Sequence, residues 1–192
     1  MSTTQQVQLM TLDEFIREYT KAPFELVNGE RRPIMPNVAI HQWTLRAIFR
    51  ALDQLCAAQG LGEVFFEGPF VEMYGSQWVK GSRTPDLMFF SAAKWAQYTA
   101  EMANWQGKPF VLIPDLAVEV VSPNDSYVEL EEKVDEYIAK GVALIWVIDP
   151  QRKRARVYQG GQETRLGEND TLTGGDLLPG LQIKLADLFK QD

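Results

Sequence analysis

The chain has 192 residues, 45% hydrophobic and 23% charged, enough for one well-cored α/β domain over residues 1–192 and too few for two. No apolar run is long enough to cross a bilayer, so no membrane association is expected, and the N-terminus carries no secretory pattern. A single cysteine, Cys56, excludes an intramolecular disulfide and fits a cytoplasmic location, while a net charge of −7 argues against a tight nonspecific nucleic-acid binder.

Residues 1–10 are polar and featureless, and fraying is expected there. Thr11 and Glu14 match a capping box, and Leu12, Phe15, Ile16 and Tyr19 follow at helical spacing. Asn28-Gly29 then predicts a hairpin, with Pro33 placing the second arm at a sheet edge. A helix is predicted from Ile40 to about Gln59, with Trp43, Ala47, Ile48, Leu52 and Leu55 on one face, ending at Gly60 or Gly62. Strand candidates follow at EVFFE, FVEMY and LMFF. The stretch 91–114 reads as an ordered insertion carrying about one helical turn. LAVEVV and ALIWVID read as buried strands flanking a helix from Tyr127 to Lys140, a parallel βαβ unit. RARVYQ gives a third strand, polar turns follow, and the chain closes with a strand at LQIKL and a helical turn at ADLFK. A central mixed sheet flanked by helices, an α/β fold, is the expected architecture.

One histidine and one cysteine cannot build a typical zinc site, and no nucleophile elbow, Walker loop or dinucleotide-binding glycine motif is present. Hydrolysis would therefore run on carboxylates and a hard metal. In DLAVEVV, a period of two puts Leu116, Val118 and Val120 on one face and Asp115, Ala117, Glu119 and Val121 on the other. Both faces are largely apolar, so Glu119 falls where an unpartnered carboxylate would cost several kcal/mol, on the order of the cost of burying a bare charge. It needs an ion-pair partner, a proton or a metal. Lys133 flanks the inward stripe of Leu130, Val134, Tyr137, Ile138 and Gly141; it either meets that acid or extends to water. Asp86 follows Pro85 as a turn or a site residue. Glu25 is an exposed strand acid or a participant, and His41 caps, packs or acts.

Taken in order, FELVNGE, a helix with an early His, TPDLMFF, PDLAVEVVSP, EEKVDEYIAKGV, ALIWVIDP, RVYQ and LLPGL resemble the Uma-type group of restriction endonucleases in the PD-(D/E)XK nuclease superfamily. The resemblance runs from about Leu12 to Phe189. It implies a restriction-endonuclease-like core and a Mg²⁺- or Mn²⁺-dependent endonuclease acting on nucleic acid, DNA first, as a homodimer. By the same resemblance Asp86 and Glu119 would hold the cation, and Glu25 would assist it through a water or help to take the proton. Where the superfamily's motif lysine belongs stands Val121, and Lys133 from the next helix is the matching residue. Tyr137 would help place its amine, and Asp115 and His41 are further supporting candidates. A phosphate-binding rim is expected from Arg31, Arg32, Lys80 and Arg83. The competing reading is a catalytically silent nucleic-acid- or partner-binding module on the same fold.

Overall fold

Thr11 opens the first helix with both halves of a capping box: its hydroxyl accepts from Glu14 N at 3.2 Å, and its own N–H donates to the Glu14 carboxylate at 2.9 Å. The computed structural model of the chain describes residues 10–123 and 125–190, so the expected fraying of 1–9 lies outside the described residues. Met10, also expected to fray, is instead buried and pairs with Val79. Strand β1 (Met10–Thr11) leads into α1 (Leu12–Lys21), then the hairpin β2 (Phe24–Val27) and β3 (Glu30–Pro33). Asn28 and Gly29 both take positive φ, 52° and 81°, as the tight hairpin turn demands.

Helix α2 (Ala39–Gln59) ends at Gly60 in the left-handed conformation (φ 65°). Its buried stripe runs through His41, Thr44, Leu45, Ile48, Leu52 and Cys56. Trp43 was expected on that stripe; it stands at its exposed margin, where its indole N–H reaches the Lys190 carbonyl at 2.7 Å. Strands β4 (Gly62–Phe66), β5 (Phe70–Tyr74), β6 (Trp78–Arg83) and β7 (Leu87–Ser91) follow. The sequence pattern missed β6 because polar residues and Gly81 interrupt it. That glycine allows close approach, since a Cβ there would stand 3.2 Å from the Leu26 carbonyl oxygen.

The stretch 91–114 holds more than one helical turn. It contains α3 (Ala92–Glu101) and a 3₁₀ turn at Trp105–Gly107, packed through Trp95 and Phe110 against Phe65 and Phe90. Then come β8 (Leu116–Val120), α4 (Tyr127–Ala139), β9 (Leu144–Asp149) and β10 (Arg154–Gln159). In the tail, read as polar turns, the chain forms β11 (Gln162–Leu166) and β12 (Thr171–Gly174) before β13 (Leu178–Lys184) and α5 (Leu185–Leu188). Their exposed faces carry no apolar signal, so pairing with neighbours rather than side-chain burial defines β11.

The six-stranded sheet runs β11-β10-β9-β8-β7-β4, with β8 and β9 parallel and every other pair antiparallel. It is a mixed sheet with helices packed on it. Leu116, Val118 and Val120 join α2 in one core cluster; Ala117, Ile145 and Val147 join Leu130, Val134 and Tyr137 of α4 in another. The alternation read from DLAVEVV thus sorts β8 between two helices. Ile138 departs from the predicted α4 stripe and is 46% exposed. A five-stranded sheet, β1-β6-β2-β3 with β5 also on β6, covers the third cluster beneath α1. The segment 83–87 carries the chain from β6 in this sheet to β7 in the other, and that crossing positions the site.

Candidate active site

Two cross-strand alignments assemble the charged groups. Leu87 pairs with Val118, so one further step of the same antiparallel register brings Asp86 opposite Glu119. Leu26 pairs with Ser82, and one step on, Glu25 meets Arg83. Asp86 and Glu119 thus come from one sheet, Glu25 and Arg83 from the other. Helix α4 lays Lys133, Glu136 and Tyr137 across the junction from a single turn.

Lys133 Nζ stands 3.2 Å from Glu25 Oε1 and 3.3 Å from Glu119 Oε2. The Tyr137 hydroxyl donates to Glu119 Oε1 at 2.6 Å. Asp86 Oδ2 accepts the Val120 N–H at 2.6 Å and lies 2.9 Å from His41 Nε2. Glu25 also accepts the Thr84 N–H at 3.0 Å and Arg83 Nη1 at 2.8 Å. Arg83, fully buried, holds Glu136 through two further bonds of 2.9 and 2.6 Å. Glu25, His41, Arg83, Asp86, Glu119 and Lys133 form the floor of an open cleft of 920 Å³ whose walls include Arg31, Met35, Asp125 and Glu129; Glu136 and Tyr137 do not line it.

With every carboxylate ionised and His41 neutral, four carboxylates (Glu25, Asp86, Glu119, Glu136) stand against two permanent cations, Arg83 and Lys133. Burial and this excess of acids together shift how the groups titrate. Burial pushes the pKa of Glu119 up to about 7, with the charges of Asp86 and Glu25 adding to the effect and Lys133 and Tyr137 opposing it. For Glu25 burial acts the same way, but Lys133 and Arg83 outweigh it and hold its carboxyl below the usual range. Burial alone would lower the pKa of Lys133; Glu119, Glu25 and Asp86 overcome that and keep the amine charged. Burial likewise works against a charged His41, and Asp86 more than offsets it.

Sequence comparison places the chain in a family. Residues 8–186 match the model of the Uma2 family, described as "Putative restriction endonuclease". The chain belongs to the Uma2 family. No curated protein sequence matches it. Among solved structures, the "putative nuclease belonging to DUF820 from Anabaena variabilis ATCC 29413" superposes with a TM-score of 0.76 at 20% identity, over 94% of this chain and 97% of that one. The two share a fold. A DrdV-DNA complex aligns over 79% of this chain and 14% of that one at 16% identity, and its TM-score of 0.32 carries no argument.

For this Uma2 chain the structure brings Asp86, Glu119, Lys133, Glu25, Tyr137 and His41 together. Asp115 lies apart: it is not among the cleft residues, and its carboxylate takes the Ser91 N–H at 2.8 Å and Lys94 Nζ at 2.6 Å. The expected basic rim is also corrected. Arg83 is internal, and Lys80 pairs with Glu72 away from the cleft. Arg31 and Arg32 do line the cleft, but Glu18 and Glu132 already neutralise them at 3.3 and 2.7 Å. Sequence reasoning missed Glu136 and the internal role of Arg83. Recognising β6 as the neighbour of β2 would have exposed the Glu25–Arg83 pairing.

Among the described residues no group of three or more His, Cys, Asp or Glu side chains is arranged to hold a metal ion. Mg²⁺ does not require such a cage, since it keeps several waters and binds through one or two carboxylates. Hard oxygen donors at Asp86 and Glu119, in a cluster where carboxylates outnumber permanent cations, fit a small divalent cation.

Proposed function

We propose that this protein is a divalent-metal-dependent endonuclease with a PD-(D/E)XK-type core, hydrolysing phosphodiester bonds of nucleic acid, DNA first. The observation that carries the reading is the buried cluster at the cleft floor, where Lys133 bridges Glu25 and Glu119 and the Asp86 carboxylate accepts the N–H of Val120, the residue after Glu119. Asp86 and Glu119 would hold Mg²⁺ or Mn²⁺, which when bound supplies positive charge against a phosphate oxygen and acidifies an attacking water. His41 and the Val120 N–H fix the Asp86 carboxylate from one side. Tyr137 fixes Glu119 from below through its 2.6 Å hydrogen bond. Lys133, permanently charged, offers its ammonium to the negative charge that develops on the phosphoryl group. Glu25 already accepts from Arg83, Thr84 and Lys133, and its lowered pKa makes it a poor proton acceptor. It serves this reaction as the counter-ion that aims Lys133. Action as a homodimer in the cytoplasm belongs to the same proposal.

A plasmid-nicking assay with and without Mg²⁺ or Mn²⁺ tests the reading, with Asp86→Ala as control. Metal-dependent nicking by the wild type and none by the variant is expected. Intact plasmid throughout would favour the second reading, a silent nucleic-acid- or partner-binding module. One observation supports that alternative: the cleft walls carry Glu67, Asp125 and Glu129, while Arg31 and Arg32 are already paired.

A further inference from the structure

The ion pairs around Lys133 close into a ring. Arg83 bonds Glu25 and Glu136; Glu25 bonds Lys133; Lys133 and Glu136 sit three residues apart on α4. The ring ties β6, β2 and α4 to one another, and the tie falls on the same helical turn that supplies Tyr137 to Glu119. Nothing in it depends on long exposed side chains. Arg83 is 1% exposed and Glu25 6% exposed, so neither can drift into water to find another partner.

Arg83 occupies both oxygens of Glu136 and only Oε2 of Glu25. This division leaves Glu25 Oε1 to Lys133 and to the Thr84 N–H at 3.0 Å, and the Arg83 and Thr84 bonds together fix the rotation of the carboxylate plane. It also spreads one buried cation over two acids, so Glu25 does not hold Lys133 with its full charge. Lys133 consequently stands almost midway between Glu25 and Glu119.

We propose that Arg83 and Glu136 are positioning residues that set the reach of Lys133 toward Glu119 through this closed ring, without touching the substrate or the metal-holding acids. The catalytic consequence rests on the endonuclease reading; the placement of Lys133 does not. Opening the ring at Glu136 frees one side of the guanidinium, turns it toward Glu25, and shifts the point at which the Lys133 ammonium is held. A displacement on the scale of an ångström at a group stabilising a transition state lowers turnover by about tenfold to a hundredfold.

The test compares wild type, Glu136→Ala and Glu136→Gln by two readouts. The first is the ¹⁵Nζ resonance of Lys133 in an amine-selective NMR spectrum of the metal-free protein, assigned by its loss in Lys133→Met. The second is kcat and KM for Mg²⁺-dependent plasmid nicking. The expected result is a visible Lys133 resonance in the wild type that shifts or broadens in Glu136→Ala. With it, kcat falls by about tenfold or more at nearly unchanged KM, and Glu136→Gln, which keeps an acceptor for the guanidinium, is intermediate. If Glu136→Ala does not fold, Glu136→Gln carries both readouts. A Lys133 resonance absent from the wild type, or unmoved in the folded variant, overturns the ring. A moved resonance with unchanged kcat overturns its role in turnover. Should the wild type not nick at all, the endonuclease reading fails, and the NMR comparison alone decides the ring.

Discussion

Replacing Glu119 with glutamine should flatten the pH dependence of stability in the metal-free protein. Its pKa stands at about 7 in the folded chain against 4.5 as the ordinary value, so the folded state binds this proton more tightly than the unfolded state does. A raised carboxyl pKa contributes stability that is fully present below 4.5 and is lost as pH rises through about 7. Between about pH 5 and about pH 8 the loss is about 2–3 kcal/mol, from roughly 1.4 kcal/mol per pKa unit. For a domain of this size that is roughly 5–10 °C of melting temperature. His41 contributes in the same direction, because its raised pKa also makes stability fall with rising pH. Asp86, the main support of that shift, is present in both proteins; Glu119 adds to it, so the difference between them reports Glu119 together with its share of the His41 shift. The lowered pKa of Glu25 acts below this window, and the raised pKa of Lys133 acts above it. The assay is a set of melting curves of wild type and Glu119→Gln in EDTA across that range. Wild type should lose stability with rising pH far faster than the variant, and millimolar Mg²⁺ at the alkaline end should restore it in the wild type only. Equal slopes for the two proteins would refute the buried-acid argument.

Asp86→Ala should abolish both the Mg²⁺-induced rise in melting temperature and nicking, while leaving the metal-free protein folded; an undiminished metal shift would show that Asp86 does not hold the cation. Tyr137→Phe removes a 2.6 Å bond to a buried carboxylate and should destabilise the protein by about 1.5–3 kcal/mol, as for hydrogen bonds to charged groups. The same change should move the acid limb of the pH–rate profile upward, because the lost bond lowered the pKa of Glu119. Gly62→Ala should be among the most damaging changes in the sheet, since its Cβ would stand 2.0 Å from the Phe90 carbonyl oxygen at a φ of +147°. A loss of about 3 kcal/mol or more in denaturant unfolding is expected, and a melt like that of the wild type would contradict the close packing of β4 on β7.

Local chemistry made much of this protein legible from its residues in order. The capping box at Thr11, the Asn28-Gly29 turn, the Gly60 stop and the two-sided apolar run of β8 each depend on interactions within a few residues. Glu119 was legible too, because a mid-strand acid in a run buried on both faces must find a partner. What sequence could not decide was who that partner is. Whether Lys133 reaches inward or out to water depends on where α4 sits against two separate sheets, and the strand that fixes this, β6, is broken in pattern by Gly81. Arg83 looked like a surface cation from its neighbours in the chain. It is buried because β6 pairs with β2 and brings Glu25 opposite it, a register between residues 58 positions apart. Charge in a protein interior is settled by such long-range pairings, since only the folded chain decides which acids and bases lose water together.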